Sequence, residues 1–295
     1  MPAIRPVSAG GAVWFLGFWG WAVAAAPPSD VPRAGSAQPP QPAVVEIRIG
    51  PQHCSGSLIA DRVVLTAAHC LAEVESERIE VALPSSPPLT RGVRTTRLHP
   101  AYDPRTLAND LALAFLDPPV PLALTPLPLR SRTLDAAWNG RSVRFVGFGG
   151  SSTGTPHNGR SRIGEITPGE LTLQPQPALP CGGDSGAPIL VPRADREKRE
   201  EHEEIIGVVS GGDRACTAYA RAIRVDVNLD RFIAPFVQWA TSRELGLGER
   251  CFDDHQCASG LCQAPPDAPR FPYCTAPCTG DAACPAPLLC DAFLP

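Results

Sequence analysis

The 295-residue sequence lacks an excess of charge of either sign and has only one long apolar run. Its 26 basic and 30 acidic residues give a net charge of −4. This balance does not favour a nucleic-acid partner, which normally requires a basic surface. The apolar run spans residues 11–26, follows Arg5 as the only charge before it, and ends in small residues ahead of Pro27. This arrangement predicts a signal peptide over residues 1–26, with an uncleaved signal anchor as the alternative.

No later stretch is apolar enough to cross a bilayer, because a span requires about 20 consecutive apolar residues. We therefore expect the mature chain to be soluble, without stable membrane insertion, and secreted to the cell exterior or a periplasm. Residues 27–42 are rich in proline and are predicted to form an extended arm or a propeptide.

The composition is also a poor match to a helical bundle, since the chain contains 26 glycines and 35 prolines. Short apolar runs alternate instead with turn-forming clusters, a pattern typical of a β-sandwich or β-barrel. A charged segment at 193–204 predicts a solvated hairpin loop, and the apolar spacing of 232–240 predicts one amphipathic helix packed on the body. The predicted strands are residues 43–49, 57–60, 62–67, 78–83, 111–116, 142–148, 187–191 and 205–210.

Eleven cysteines indicate an oxidising compartment, because such a density is rare in cytosolic proteins. Seven of them lie after residue 249 and predict two small disulfide-stapled units with Cys274 between them. Zinc binding by this tail is the less favoured alternative, since it has no C-x2-C pair and no paired histidine. An odd number of cysteines leaves either one free thiol or a partner beyond Pro295. We expect the tail to bind or space an unknown surface partner.

Three segments carry residues of a known chemistry, and their order along the chain is informative. Thr66 to Cys70 spells TAAHC, Asn109 to Leu113 spells NDLAL, and Cys181 to Pro188 spells CGGDSGAP. A serine hydroxyl is a weak nucleophile that needs an imidazole base, and a buried carboxylate orients that imidazole. The serine is not in the G-x-S-x-G elbow of α/β-hydrolases, because Ala187 occupies the last glycine position.

These segments, in the order His, Asp, Ser, resemble the trypsin/chymotrypsin-like serine proteases over roughly residues 43–242. The resemblance implies an all-β fold with two six-stranded antiparallel β-barrels packed together, a C-terminal helix and then the small disulfide-rich tail. It implies a serine endopeptidase that acts on protein or peptide substrates and needs no cofactor or metal. His69 is then the general base, Asp110 the residue that orients it, and Ser185 the nucleophile.

The resemblance implies further roles for the segment that contains the nucleophile. The backbone amides of Gly183 and Ser185 form the oxyanion hole, and Gly182 belongs to the same loop. Two disulfides are implied, Cys54–Cys70 beside the histidine and Cys181–Cys216 beside the serine.

Substrate preference is inferred from the residues that match the family's primary pocket. Leu179, six residues before the serine, lies at the pocket floor, where an aspartate selects Arg or Lys in trypsin. Leucine carries no charge, so cleavage after small or medium apolar residues is expected. Ser210, Gly211 and Gly212 form the wall that pairs with the substrate backbone as an added strand.

The sequence departs from the family in its activation segment. Members of this family are activated when a new amino terminus, from an Ile/Val-rich segment, inserts beside the aspartate that precedes the serine. Asp184 is present, but no such segment exists near residues 28–36. Two hypotheses remain open: cleavage after Arg33 exposes Ala34 as a substitute, or Asp184 has an internal partner and no activation step exists.

The predicted organisation is a signal peptide (1–26), a Pro-rich arm or propeptide (27–42), a protease domain (43–248) and a cysteine-rich tail (249–295). The alternative function is a catalytically inactive protease-like binding module. A further alternative makes the tail the functional part of the chain.

Overall fold

The computed structural model describes residues 41–85, 87, 89–121, 124–150, 154–193, 202–241, 251, 257, 259–263 and 273–276. The expected signal peptide and Pro-rich arm before Gln41 lie outside these residues, as do most of the loop at 193–204 and the second half of the tail. Among the described residues, no helix is both long enough and apolar enough to span a membrane.

Two closed six-stranded antiparallel barrels form the body of the molecule, which confirms the all-β fold expected from the sequence. The first barrel has the strand order β1-β2-β3-β6-β5-β4. Its strands are Val44–Ile49 (β1), Gln52–Ala60 (β2), Val63–Thr66 (β3), Ile79–Leu83 (β4), Leu89–Leu98 (β5) and Ala112–Asp117 (β6).

The second barrel has the strand order β10-β11-β12-β9-β8-β7. Closure of both sheets leaves no unpaired edge strand in either barrel. The strands are Ser142–Gly147 (β7), His157–Ile166 (β8), Glu170–Pro175 (β9), Pro188–Arg193 (β10), His202–Gly212 (β11) and Ala220–Arg224 (β12). Strands β10 and β11 pair as an antiparallel hairpin around the predicted charged loop, whose central residues are outside the described part.

The strongly apolar strands were predicted correctly, and the polar ones were missed. All four residues of β3 and the first five of β6 are buried, so their continuous apolar runs were visible in the sequence. In β5, only Val93 is fully buried, and the strand presents threonine and arginine to solvent. Strand β8 begins at His157, inside residues 149–159, whose glycines and serines predict a turn-forming cluster. The other barrel strands without a sequence prediction are β9 and β12.

The predicted C-terminal helix exists, and it begins with an irregular turn. A π-helical turn, Leu229–Ile233, leads directly into the helix α2, Ala234–Thr241. The rings of Phe115 and Trp239 lie 5.2 Å apart, which fixes α2 against strand β6 of the first barrel. A cavity of about 610 Å³ lies between β5 and α2, and none of the predicted site residues lines it.

The described part of the tail holds a pair of disulfides and a two-stranded sheet, Cys262–Gln263 (β13) and Tyr273–Cys274 (β14). Cys251 pairs with Cys262 and Cys257 pairs with Cys274. The prediction that Cys274 lies between two separate units was therefore wrong, because it closes the first unit. These sulfurs are joined in disulfides and so offer no thiolate to a zinc ion.

Candidate active site

His69 lies on a short helix, α1 (Ala68–Leu71), that follows strand β3 of the first barrel. Two links hold this helix to strand β2. The Cys54–Cys70 disulfide crosses from β2 to the residue after His69. Thr66, at the end of β3, donates its hydroxyl to the carbonyl O of Ser55 at 2.8 Å. The imidazole is therefore carried on a segment that is anchored on both sides.

Asp110 lies at the end of the loop that leads into β6, and its carboxylate is completely buried. Its Oδ1 accepts the backbone N–H of His69 at 2.8 Å. Its Oδ2 lies 2.7 Å from His69 Nδ1 and accepts the Ser210 hydroxyl at 2.5 Å. A carboxylate with three donors is held in one orientation, and the Nδ1 contact leaves His69 Nε2 as the nitrogen that faces away from the acid.

Ser185 approaches His69 from the second barrel. Its carbonyl O accepts the backbone N–H of Ser55 at 2.8 Å, which anchors the serine turn to strand β2. The sulfur of Cys70 lies 3.7 Å from His69 Nε2 and 3.9 Å from the Ser185 carbonyl O, so one sulfur atom contacts both residues. The Ser185 hydroxyl makes no hydrogen bond to another described residue. Hydrogen bonds between nucleophile and base are often long before substrate binds.

The turn around Ser185 presents two amide donors that are fixed and unpaired within the described residues. The Gly182 carbonyl accepts from Gly150 N at 3.1 Å, and the Asp184 carbonyl accepts from Ala187 N at 2.8 Å. The C=O and N–H of one trans peptide point in opposite directions. These two hydrogen bonds therefore direct the N–H groups of Gly183 and Ser185 away from Gly150 and Ala187, respectively. Neither of these two amides has a hydrogen-bond partner among the described residues, although their neighbours in the turn do.

Glycine is required within this turn by both conformation and space. Gly183 has a φ of +92° and Gly186 a φ of +85°, values that L side chains rarely adopt. A Cβ on Gly183 would also lie 2.6 Å from His53 Nε2. The hydroxyl of Ser55 stabilises the same turn from strand β2, since it donates to the Gly183 carbonyl and accepts the Phe148 N–H, each at 2.9 Å.

The residues predicted to form the specificity pocket lie around the second barrel. Leu179 is 4% exposed and belongs to the apolar core of that barrel. Ser210 is buried, and its hydroxyl is directed to Asp110 rather than to a pocket. A Cβ at Gly211 would meet only the Leu107 side chain, at 3.7 Å, whereas one at Gly212 would lie 2.7 Å from the Tyr219 carbonyl O.

A carboxylate shapes the loop that follows Gly212. Asp213 accepts the backbone N–H groups of Thr217, Ala218 and Tyr219 at 3.0–3.2 Å. These amide donors lower the pKa of Asp213 to about 2, because they stabilise the charged form. The loop also carries Cys216, which forms the disulfide with Cys181 next to the serine turn.

Two further groups near the site have shifted acidities. Burial raises the pKa of Tyr102, and the negative charge of Asp110 raises it further. Burial lowers the pKa of His99, an effect that a hydrogen bond with Asn228 opposes. Both shifts follow from the loss of solvation of the charged form.

Comparisons with known proteins identify the family to which this fold belongs. The family model for trypsin matches residues 32–234. Human granzyme M is 29% identical over 217 residues, which cover 65% of this chain and 79% of the relative. Trypsin alpha-4 of Lucilia cuprina is 28% identical over 204 residues, which cover 61% of this chain and 75% of the relative. The serine protease filzig of Drosophila melanogaster is 29% identical over 200 residues, 56% of this chain but only 11% of that longer protein.

The chain belongs to the trypsin family. It is a serine-type endopeptidase, and its substrates are proteins or peptides.

Two residues contribute to the site in ways that the sequence pattern does not predict. Ser210 was assigned to the pocket wall alone, yet its hydroxyl is the third donor to the Asp110 carboxylate. His157 was assigned no role from the sequence, yet its Nε2 lies 3.3 Å from Asp184 Oδ2. The sequence signal for His157 was indirect: Asp184 is present without the activation segment that normally supplies its partner.

Proposed function

We propose that His69, Asp110 and Ser185 form the catalytic triad of this endopeptidase. The observation that supports the proposal most strongly is the pairing of His69 Nδ1 with a fully buried carboxylate. The Ser185 hydroxyl attacks the scissile carbonyl carbon, and its proton passes to His69 Nε2. The C–N bond then breaks, the leaving amine takes that proton, and an acyl-enzyme remains on Ser185.

The second half of the reaction repeats the same proton transfers with water. Water attacks the acyl carbonyl and gives its proton to His69 Nε2, and the C–O bond to Ser185 breaks as that proton returns to the serine oxygen. Asp110 stays ionised throughout, keeps the imidazole in the tautomer with Nε2 unprotonated, and stabilises the imidazolium when it forms.

The amides of Gly183 and Ser185 are proposed to form the oxyanion hole. Their support is that both are aimed by anchored neighbouring carbonyls and are unpaired within the described turn. Preorganised donors stabilise the tetrahedral intermediate without reorganisation, and the loss of one such donor typically lowers turnover by about 10²–10³-fold.

Labelling with a fluorophosphonate tests this function directly, because the reagent phosphonylates only an activated serine. We expect a single adduct on Ser185 in the native protein, found by mass mapping, and none in Ser185→Ala or in heat-denatured protein. The same preparation should hydrolyse peptide substrates. A native protein that stays unlabelled would instead be an inactive protease-like binding module.

We propose that cleavage follows small or medium apolar residues. Leu179 supports this, since its buried apolar side chain offers no carboxylate to an Arg or Lys of the substrate. Substrate would add as a strand along Ser210 to Gly212. Because Gly211 has no side chain, it would make only weak apolar contact with the substrate.

Peptide-library profiling measures this preference. Wild type should cut mainly after residues such as alanine and valine, and Leu179→Ala should move the preference toward larger apolar residues because it deepens the pocket. A dominant preference for Arg or Lys in wild type would overturn the assignment of Leu179 to the pocket floor.

We also propose that the protein is secreted and that the tail binds a surface partner. Four disulfides within the described residues support an oxidising compartment. The predicted signal peptide lies outside the described residues. The tail's small crosslinked unit has three buried half-cystines as its core and, like other very small units, depends on crosslinks for its stability.

A further inference from the structure

The carboxylate of Asp184 is a buried charge next to the proposed nucleophile. It has no solvent exposure. Its Oδ1 accepts the N–H of Gly149 at 2.8 Å, and its Oδ2 accepts the N–H of Cys181 at 2.9 Å. Two neutral donors solvate the carboxylate only partly, and a buried charge requires either further donors or an opposite charge.

The space for this carboxylate is created by two glycines at the end of β7. A Cβ at Gly147 would lie 2.3 Å from Asp184 Oδ1, and one at Gly149 would lie 2.5 Å from Asp184 Cγ. Neither position could therefore hold any larger residue without displacing the carboxylate. The side chain of Asp184 fills a cradle formed by segment 147–149.

His157 supplies the third contact to the carboxylate. It is paired across the β7–β8 ladder with Gly147. Because Gly147 has no side chain, the Asp184 carboxylate occupies the space beside the His157 ring. Its Nε2 is 3.3 Å from Asp184 Oδ2, and its ring meets the ring of Phe145 edge-on at 6.1 Å. Its Nδ1 is buried and has no hydrogen-bond partner among the described residues, so the contact with Asp184 is the ring's polar interaction there.

We propose that His157 is the internal partner of Asp184 and a positioning residue for the oxyanion hole, so that catalysis requires no new amino terminus. The inference rests on the proposed function of the Ser185 turn. A new amino terminus would have to reach a carboxylate that is fully buried and already contacted by two backbone amides and the His157 ring. The chain also has no Ile/Val-rich segment before Gln41 to provide one.

The consequence for catalysis follows from the position of Asp184 in the chain. Its backbone lies between the two proposed oxyanion donors, the amides of Gly183 and Ser185. A carboxylate that is held by Gly149, Cys181 and His157 fixes the peptide planes on both sides. Loss of the histidine contact would therefore reduce the stabilisation of the transition state rather than the binding of substrate.

The first arm of the test asks whether an uncut chain is active. Wild type and Arg33→Gln are produced with their signal segments processed normally, and N-terminal sequencing with intact mass establishes where each begins. We expect equal kcat/KM for both proteins, with the peptide bond between residues 33 and 34 intact in each. Activity that appears only after a cut within residues 27–42 overturns the proposal.

The second arm asks whether His157 acts through the oxyanion hole. His157→Ala should lower kcat by about 100-fold or more with KM unchanged, as expected when a transition-state interaction is lost. His157→Gln retains a side-chain N–H donor and should recover part of kcat. Arg160→Ala, an exposed cation on the same strand, is the matched control and should keep the wild-type kcat.

Thermal unfolding of each variant separates positioning from folding. The inference is overturned if His157→Ala leaves kcat unchanged or raises only KM. It is also overturned if kcat falls in parallel with stability and His157→Gln does not recover it. Fluorophosphonate labelling of wild type keeps the two proposals distinct. An unlabelled wild type removes the proposed function, whereas a labelled wild type that needs N-terminal cleavage removes only the role of His157.

Discussion

Replacement of Asp110 by asparagine is expected to lower kcat by about 10⁴-fold, the loss that this change causes in the chymotrypsin triad of the same family. The buried carboxylate accepts from His69 N, His69 Nδ1 and the Ser210 hydroxyl. An amide can keep one acceptor oxygen, but its NH2 group would face a donor. The His69 ring would then favour the tautomer with its proton on Nε2, which cannot accept the proton of Ser185.

The measurement is kcat at saturating peptide concentration, with circular dichroism to establish that the fold is retained. Asp103→Asn is the matched control, because this carboxylate lies in the same loop but accepts the backbone N–H of Arg105 at the surface. It should keep wild-type kcat. An Asp110→Asn enzyme within a factor of ten of wild type would contradict the assigned role.

Replacement of Gly186 by alanine is expected to destabilise the fold by about 3 kcal/mol or more, because backbone strain and overpacking act together. The residue has a φ of +85°, and a Cβ there would lie 2.1 Å from both the Ser55 carbonyl O and the Thr66 hydroxyl O. These two atoms are joined by their own hydrogen bond. The new methyl group would therefore separate the two barrels at the point where the serine turn meets β2.

Urea denaturation measures this change as a lower midpoint at constant slope. Gly182→Ala is the control for stability, since a Cβ at position 182 meets no atom within 4 Å and its φ is not in the left-handed region. We expect its midpoint to match wild type. Equal losses in both variants would show that steric contact at Gly186 is not the cause.

The residues proposed to be catalytic could be selected from the sequence because their chemistry is local in it. The segments around His69, Asp110 and Ser185 each combine the reactive residue with small or apolar neighbours that fix the backbone beside it. The strongly apolar strands were predictable for the related reason that burial on both faces requires continuous apolar residues.

Strand β8 shows why the rest of the fold was harder to predict. Its inward positions are Gly159, Ser161 and Ile163, and its outward positions include Arg160 and Arg162. The small inward residues are needed because the ring of Phe145 fills the space beside Gly159, within 2.4 Å of where a Cβ would lie. Such an alternation of small and charged residues gives only a weak apolar signal, although one face of the strand is buried inside the barrel.

The contact between His157 and Asp184 depends on register and could not be found from spacing along the chain. The two residues are 27 positions apart, which the sequence alone does not convert into proximity. Only the pairing of His157 with Gly147 across two strands, together with the cradle at the end of β7, brings the ring to the carboxylate. The Cys257–Cys274 pairing in the tail has the same origin, since several connectivities fit the same cysteine spacing.

The sulfur of Cys70 contacts the ring of His69 and the carbonyl of Ser185 from the side of the Cys54 crosslink. A polypeptide that has not left a reducing environment lacks this bond, and so lacks one restraint on both halves of the cleft. Oxidative maturation and assembly of the nucleophile with its base are thereby coupled. Reduction of this single bond would therefore loosen the base and the nucleophile at the same time.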